Sequence, residues 1–440
     1  MNDDTVAGTI VHFREHDQRQ QIAAEVHSRP FESLHTPLRA THLAMLSDDG
    51  TADRQRVRAL CEALEKPAPA SDATHHSVDL GSCRLRWERH TEFSTYTFFV
   101  RGGPPESTAP FAEPAVAAVP QQWLRTLPGE LIVAVHLTLE GQGAPVRPVH
   151  AITEIFATEN VAGSEVADGA ARTYTDFRLH GDGYGRILVQ DQGLGPHRAG
   201  RLIQRLLEIE TYRLMAMLGF PMAKGTTTLL TELEQGLEGI TQRITRSDSL
   251  ENEQTLLKEI SALSADLERN TAGNSFRLSA SQAYDGLVHR RIENLREERI
   301  PEFQTIGEFM VRRFRPAMRT CESVAYRQEA LARRIARAAD LLRTRVDIAL
   351  EAQNRDLLAS MNRRTDLQLR LQQTVEGLSV LVMSYYGSGL IYYMLHGVHS
   401  VGVEFNVDLV MGAMVPFVLV SAFLGIRYLR RRVLGPGEEH

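Results

Sequence analysis

From Ala317 to Glu376 sixty residues pass without a glycine or a proline. The next nineteen, Gly377 to Leu395, then carry no charge. As one helix the first stretch would extend ~90 Å at 1.5 Å per residue, which outgrows a single domain. Its apolar positions, among them Leu342, Val346, Leu350, Leu357, Leu371 and Leu378, recur every three or four residues and continue into the uncharged run. Gln353 and Arg364 interrupt this seam. A seam of that spacing requires partner helices, from its own domain or from copies of itself. The spacing predicts a homo-oligomer joined through this stalk and the apolar helix that follows it.

A second uncharged run, Leu409 to Ile426, has eighteen residues. Both runs come close to the ~20 needed to cross hydrocarbon, so the tail reads as a two-helix transmembrane hairpin with spans at about 377–395 and 409–426. The connecting HGVHSVGVEFN holds Glu404 but no lysine or arginine, whereas Arg363, Arg364 and Arg370 precede the first span and RYLRRR follows the second. The positive-inside rule then places the N-terminal bulk and the C-terminus in the cytoplasm. Tyr392, Tyr393 and Tyr428 suit the interfacial aromatic belt, and Pro416 is tolerable within a membrane helix. The alternative is a hairpin buried in a soluble core, which would need a large domain to cover it. The opening MNDDTVAGTI has no apolar block, so no signal peptide is expected.

Composition narrows the remaining choices. With 43% apolar residues, 440 positions can build two to four folded units. The net charge is −6, and the basic residues are nearly all arginine, lysine occurring only at positions 66, 224 and 258. That pattern reflects codon usage, and no nucleic-acid partner is expected. Cys61, Cys83 and Cys321 are far apart and lack zinc spacing, as befits reduced core thiols in the cytosol.

Residues 1–195 alternate short strand patterns with turn signals and predict an α+β cytoplasmic domain with a mainly antiparallel sheet. His12 to Val26 and Ala52 to Glu65 have helical spacing, and Thr41 to Leu46 and Leu131 to Leu139 read as strands. A hairpin is expected to turn at Gly181, Asp182 and Gly183. In CRLRWERHTEFSTYTFFV, Leu85, Trp87 and Phe93 are expected on one face and Arg86, Glu88, His90 and Glu92 on the other, with Arg89 the exception. After Gly195-Pro196 the pattern is helical throughout. Residues 196–302 predict an antiparallel helical layer, with GFP ending its first helix and further helices at 229–245, 249–270 and 279–299. Residues 303–376 form the stalk, 377–428 the hairpin, and 429–440 a basic then acidic tail.

The stretches EVHSRPFESLHTPLRATHLAML, WERHTEFSTYTFF, RLIQRLLEIETYRLMAMLGFPMA, RRFRPAMRTCESVAYR and RRTDLQLRLQQTVEGLSVLVMSYYGSGL together resemble a bacterial family of uncharacterised membrane-anchored proteins. The resemblance implies a bacterial inner-membrane protein with a cytoplasmic body, and no activity. In architecture alone, the order of domain, helical layer, stalk, hairpin and basic tail is similar to the CorA magnesium channels. That likeness implies a cation transport pathway, with a divalent cation as the candidate ligand. The chain departs from that family at its Gly-Met-Asn triplet, where His396, Gly397 and Val398 stand.

Three groups of residues are candidate sites. Glu376, Ser384 and Ser388 would line a pore if the seam faced one; the competing role is helix packing in lipid, which favours small residues. His396, His399 and Glu404 would draw cations to an outer vestibule, or belong to a solvated loop. His27, Arg29, Arg86, Glu88, His90 and Glu92 form a polar cluster in the soluble domain, suited to acid–base or metal chemistry, or to cross-strand ion pairs. The Lys224-Gly225 order in GFPMAKGTTT does not fit a phosphate loop. No established catalytic motif occurs, so a non-enzyme is the leading expectation. The sequence leaves three readings: a cation pathway, a membrane-tethered scaffold or sensor without transport, and an anchored enzyme using His27, Glu88 and His90.

Overall fold

The computed structural model describes residues 16–19, 31–103, 109–247, 249–400, 402 and 406–433. The expected helix from His12 to Val26 therefore lies almost wholly outside the described residues. The chain divides into two compact units, Met1–Arg243 with Glu259–Ala338, and Ile244–Lys258 with Ala339–His440.

The first unit is built on a mixed sheet of nine strands among the described residues. They are β1 (Leu38–Leu46), β2 (His75–Asp79), β3 (Arg84–Arg89), β4 (Phe93–Arg101), β5 (Glu130–Glu140), β6 (Ala162–Val166), β7 (Ala171–Thr175), β8 (Gly185–Asp191) and β9 (Glu298–Arg299). Their spatial order is β2-β3-β4-β1-β5-β8-β7-β6-β9. Every ladder is antiparallel except that of β5 with β8. Each half repeats one neighbour order, in which a helix follows the first strand: α1 (Gly50–Ala63) after β1 and α2 (Val149–Phe156) after β5.

Helix α1 starts where the Asp49 carboxylate accepts the Thr51 and Ala52 amides at 2.9 and 3.1 Å. Its Val57, Leu60 and Cys61 then pack on Leu85, Trp87, Tyr96 and Phe98 of the sheet. Side chains on a strand alternate between faces, so the neighbours of these residues point the other way, toward α3 (Pro196–Met217). The proline occupies the first turn of α3, where its missing N–H is no loss. Helices α4 (Gly219–Ile244), α5 (Leu250–Glu293), α6 (Ile306–Arg313), α7 (Arg315–Ser400) and α8 (Val407–Val433) follow.

Several local expectations change. Phe93 sits on the face of Glu88, not that of Trp87, because the turn at 90–92 resets the alternation; the register pairs Glu88 with Thr95 and Arg86 with Thr97. Arg89, the exception to the pattern, faces inward, and its guanidinium meets the fully buried Asp53 carboxylate at 3.1 Å. Pro221 belongs to the first turn of α4, so GFP starts a helix immediately after ending one. The helices expected at 249–270 and 279–299 are the single helix α5. The polar residues between them are not a loop: Asn274 is buried and donates to Thr226 Oγ1 (3.0 Å) and Asn270 Oδ1 (3.1 Å), while Gln328 of α7 donates to both asparagines.

In the second unit, Ile244, Leu256, Leu342 and Val346 are buried, and Arg345 donates to the Ile244 carbonyl at 3.0 Å. Beyond them the apolar side chains of α7 are open, including Leu357, Leu371 and Leu378 at 59%, 67% and 63% exposure. The end of α7 and helix α8 are both long and apolar enough to cross a membrane. A Cβ placed on Gly387 would meet Val418 Cγ1 at 3.3 Å, so the two helices touch there.

Candidate functional site

The strand face opposite α1 does not close onto α3. Between them lies a cavity of about 230 Å³. Its floor is β1, β3 and β4, its roof is α3, and Arg291 of α5 and Glu32 contribute from the sides. The close approach of the chain before β1 depends on Gly200, whose added Cβ would sit 1.6 Å from the Glu32 carbonyl oxygen. There Leu34 N–H donates to the Pro196 carbonyl at 3.1 Å.

On the floor lies His42, only 5% exposed. Thr211 donates its single hydroxyl hydrogen to the Leu207 carbonyl (2.8 Å). His42 Nε2 must therefore carry the proton it shares with Thr211 Oγ1 (3.0 Å), and Nδ1 accepts from Thr97 Oγ1 (2.8 Å). Burial, with help from the Arg86 charge, lowers its pKa to about 3. A neutral imidazole with both nitrogens engaged has nothing left to offer a substrate as a base.

Around it the charges come in pairs. Arg86 donates to Glu88 Oε1 at 2.8 Å and reaches Gln204 Oε1 at 3.4 Å. Gln204 in turn donates to Glu208 Oε1 at 2.9 Å, and Glu208 Oε2 accepts from Arg291 Nε. The result is one chain of polar groups, Glu88, Arg86, Gln204, Glu208 and Arg291, running from strand to roof to α5. Apolar lining comes from Phe93, Phe99, Ile203 and Leu207.

Of the polar cluster named from the sequence, Arg86, Glu88 and His90 line this cavity, and the ring of His90 stacks on Phe93 at 4.3 Å. Their strand face is covered by α3, so Arg86 is only 7% exposed. Glu92 lies apart, accepting from Tyr284 Oη at 2.8 Å and from Arg277. His27 and Arg29 lie outside the described residues. His42, Gln204, Glu208, Thr211 and Arg291 escaped the sequence reading. The one available signal was polar side chains at 204, 208 and 211, a helical spacing beside the apolar stripe of α3.

Toward the end of α7, Glu376 is half-buried, and Ser384, 6% exposed, donates to the Val380 carbonyl at 2.7 Å. Ser388 is half-buried one turn on. His396 and His399 are exposed, the former beside Tyr392 at 5.1 Å, and Glu404 lies outside the described residues. Among the described residues no three His, Cys, Asp or Glu side chains are grouped to hold a metal. All three cysteines are free and buried.

The profile of a family described as "Protein of unknown function (DUF3422)" matches residues 14–433. The chain belongs to that family. The match takes in the sheet, the helical layer and both apolar helices. No curated protein and no solved structure matches the chain. The comparisons add no support to the architectural likeness with the CorA channels.

Proposed function

We propose that this protein is a self-associating membrane-anchored sensor or scaffold, with its soluble body in the bacterial cytoplasm and its tail a two-span hairpin in the inner membrane. The observation that carries the reading is uncovered apolar surface. Within the 18-residue apolar windows of α7 and α8, 6% and 0% of the residues are buried. Phe417 and Leu409 are each 72% exposed. In water such a surface would drive aggregation, and in hydrocarbon it is at home. The arginines at 363, 364, 370 and 427, against none between 396 and 408, support a cytoplasmic body.

Ahead of the first span, Leu350, Leu357, Met361, Leu371, Val375 and Leu378 recur at three-four spacing and are all exposed. Copies anchored in one bilayer run parallel and at equal height, which sets the same residues side by side, and Gln353 and Arg364, which interrupt the seam, would fix the register. For the hairpin itself the packing role is favoured over a cation pathway. The Ser384 hydroxyl is turned to its own helix backbone and Gly387 lies against Val418, a contact between spans of one chain.

Membrane fractionation and particle mass in detergent test the reading. The protein is expected in the pellet, extracted by detergent but not by carbonate, with a mass of two or more chains. A carbonate-soluble protein, or a strict monomer in several mild detergents, overturns it. Proteoliposomes are expected to show no divalent-cation flux, and a flux lost in Glu376→Gln would establish the pathway instead.

A further inference from the structure

The cavity beneath α3 supplies a second and separate feature. A sheet–helix interface that served packing alone would be filled by aliphatic side chains. Here it is left open at about 230 Å³ and walled by buried hydroxyls, a neutral histidine and paired charges. That volume falls below the roughly 300–1,000 Å³ of drug-sized pockets, which suits a small metabolite.

The charges define what such a molecule must carry. Arg291 directs Nε to Glu208, and among the described residues its two terminal nitrogens have no hydrogen-bond partner. Two parallel N–H donors on a guanidinium match a carboxylate. Glu88 accepts from Arg86 through Oε1, and among the described residues its Oε2 accepts nothing. A carboxylate oxygen in that position matches an ammonium group. A purely anionic ligand would face Glu88, Glu208 and Glu32, and a purely cationic one would face Arg86 and Arg291. A molecule bearing one charge of each sign meets neither conflict. Phe93, Phe99, Ile203 and Leu207 provide an apolar surface for the rest of it.

We propose that this cavity binds a small zwitterion, an α-amino acid with an apolar side chain, its carboxylate on Arg291 and its ammonium on Glu88. The site is independent of the membrane reading, since every residue in it belongs to the first unit.

The test is calorimetry and thermal shift on the full-length protein in detergent, with the common amino acids one at a time at millimolar concentration. At least one apolar amino acid is expected to bind saturably and raise the melting temperature. Its N-acetyl and carboxamide forms, each lacking one charge, are expected to bind at least tenfold more weakly. Arg291→Gln should weaken the amino acid tenfold or more but leave the carboxamide unchanged, and Glu88→Gln should do the same toward the N-acetyl form. Absence of saturable binding across the panel overturns the proposal. So does equal binding of the blocked forms, or preference for a ligand of single charge. If Arg291→Gln does not fold, the blocked-ligand comparison on the wild-type protein and Glu88→Gln still decide.

Discussion

At His42 an ionisable side chain serves as a neutral spacer between a strand and a helix. Protonation would place a charge in a desolvated position beside the Arg86 guanidinium, among the hydroxyls of Thr97 and Thr211. His136, on the neighbouring strand and the opposite face, is held neutral in the same way, its pKa lowered to about 4 by burial. Both values lie below the ~6.5 of an unfolded histidine. Between about pH 6.5 and 4 the unfolded chain therefore binds more protons than the folded one. Stability falls as pH drops through that window and is fully restored above it, by at most ~1.4 kcal/mol per pH unit for each group. Glu297 and Asp285, whose carboxyls burial pushes up, act in the opposite sense. The melting temperature is thus expected to fall from pH 7 to pH 5. His42→Asn, which keeps a polar group near Nδ1, should flatten that slope while lowering stability at pH 7. An unchanged slope would show that His42 titrates normally.

At the scale of elements, the contact between α3 and the segment before β1 is as tight as backbones allow. Gly200→Ala must push Glu32 away, since the added carbon would fall 1.6 Å from its carbonyl oxygen. The expected cost is roughly 1–3 kcal/mol. Hydrogen exchange should accelerate at Leu34, whose amide bonds to Pro196, and stay slow in the β3–β4 hairpin. The sequence spoke clearly wherever one element decides its own pattern. Strand alternation put Arg86 and Glu88 on a common face, the Gly195-Pro196 step marked the start of α3, and the Ala317–Glu376 stretch foretold a long helix. It was silent where two distant segments decide together. Asn274 looks like a loop residue until Thr226 and Gln328 arrive to bond it. Glu208 looks like an exposed helical charge until Arg291, 83 positions later, meets it. The cavity belongs to this second kind, because its walls come from four parts of the chain.

For the molecule as a whole, the proposed assembly makes a chemical prediction. The native cysteines are buried, so a new thiol on α7 reports on its own surroundings. In membranes, Leu357→Cys at a seam position should give a disulfide-linked dimer under mild oxidation. Arg355→Cys, exposed but off the seam, should give at least fivefold less. Equal yields at the two positions would argue for random collision. The ends of the sheet are consistent with the proposal that helices, not strands, carry the association. One margin is β2, whose His75, Ser77 and Asp79 are exposed and polar, and the other is β9, only two residues long and bonded to Ser164 and Glu165. Neither offers an incoming chain a long apolar template for strand addition. Fibrillar growth through the sheet is thereby discouraged, even at the crowding that the proposed membrane anchor would impose.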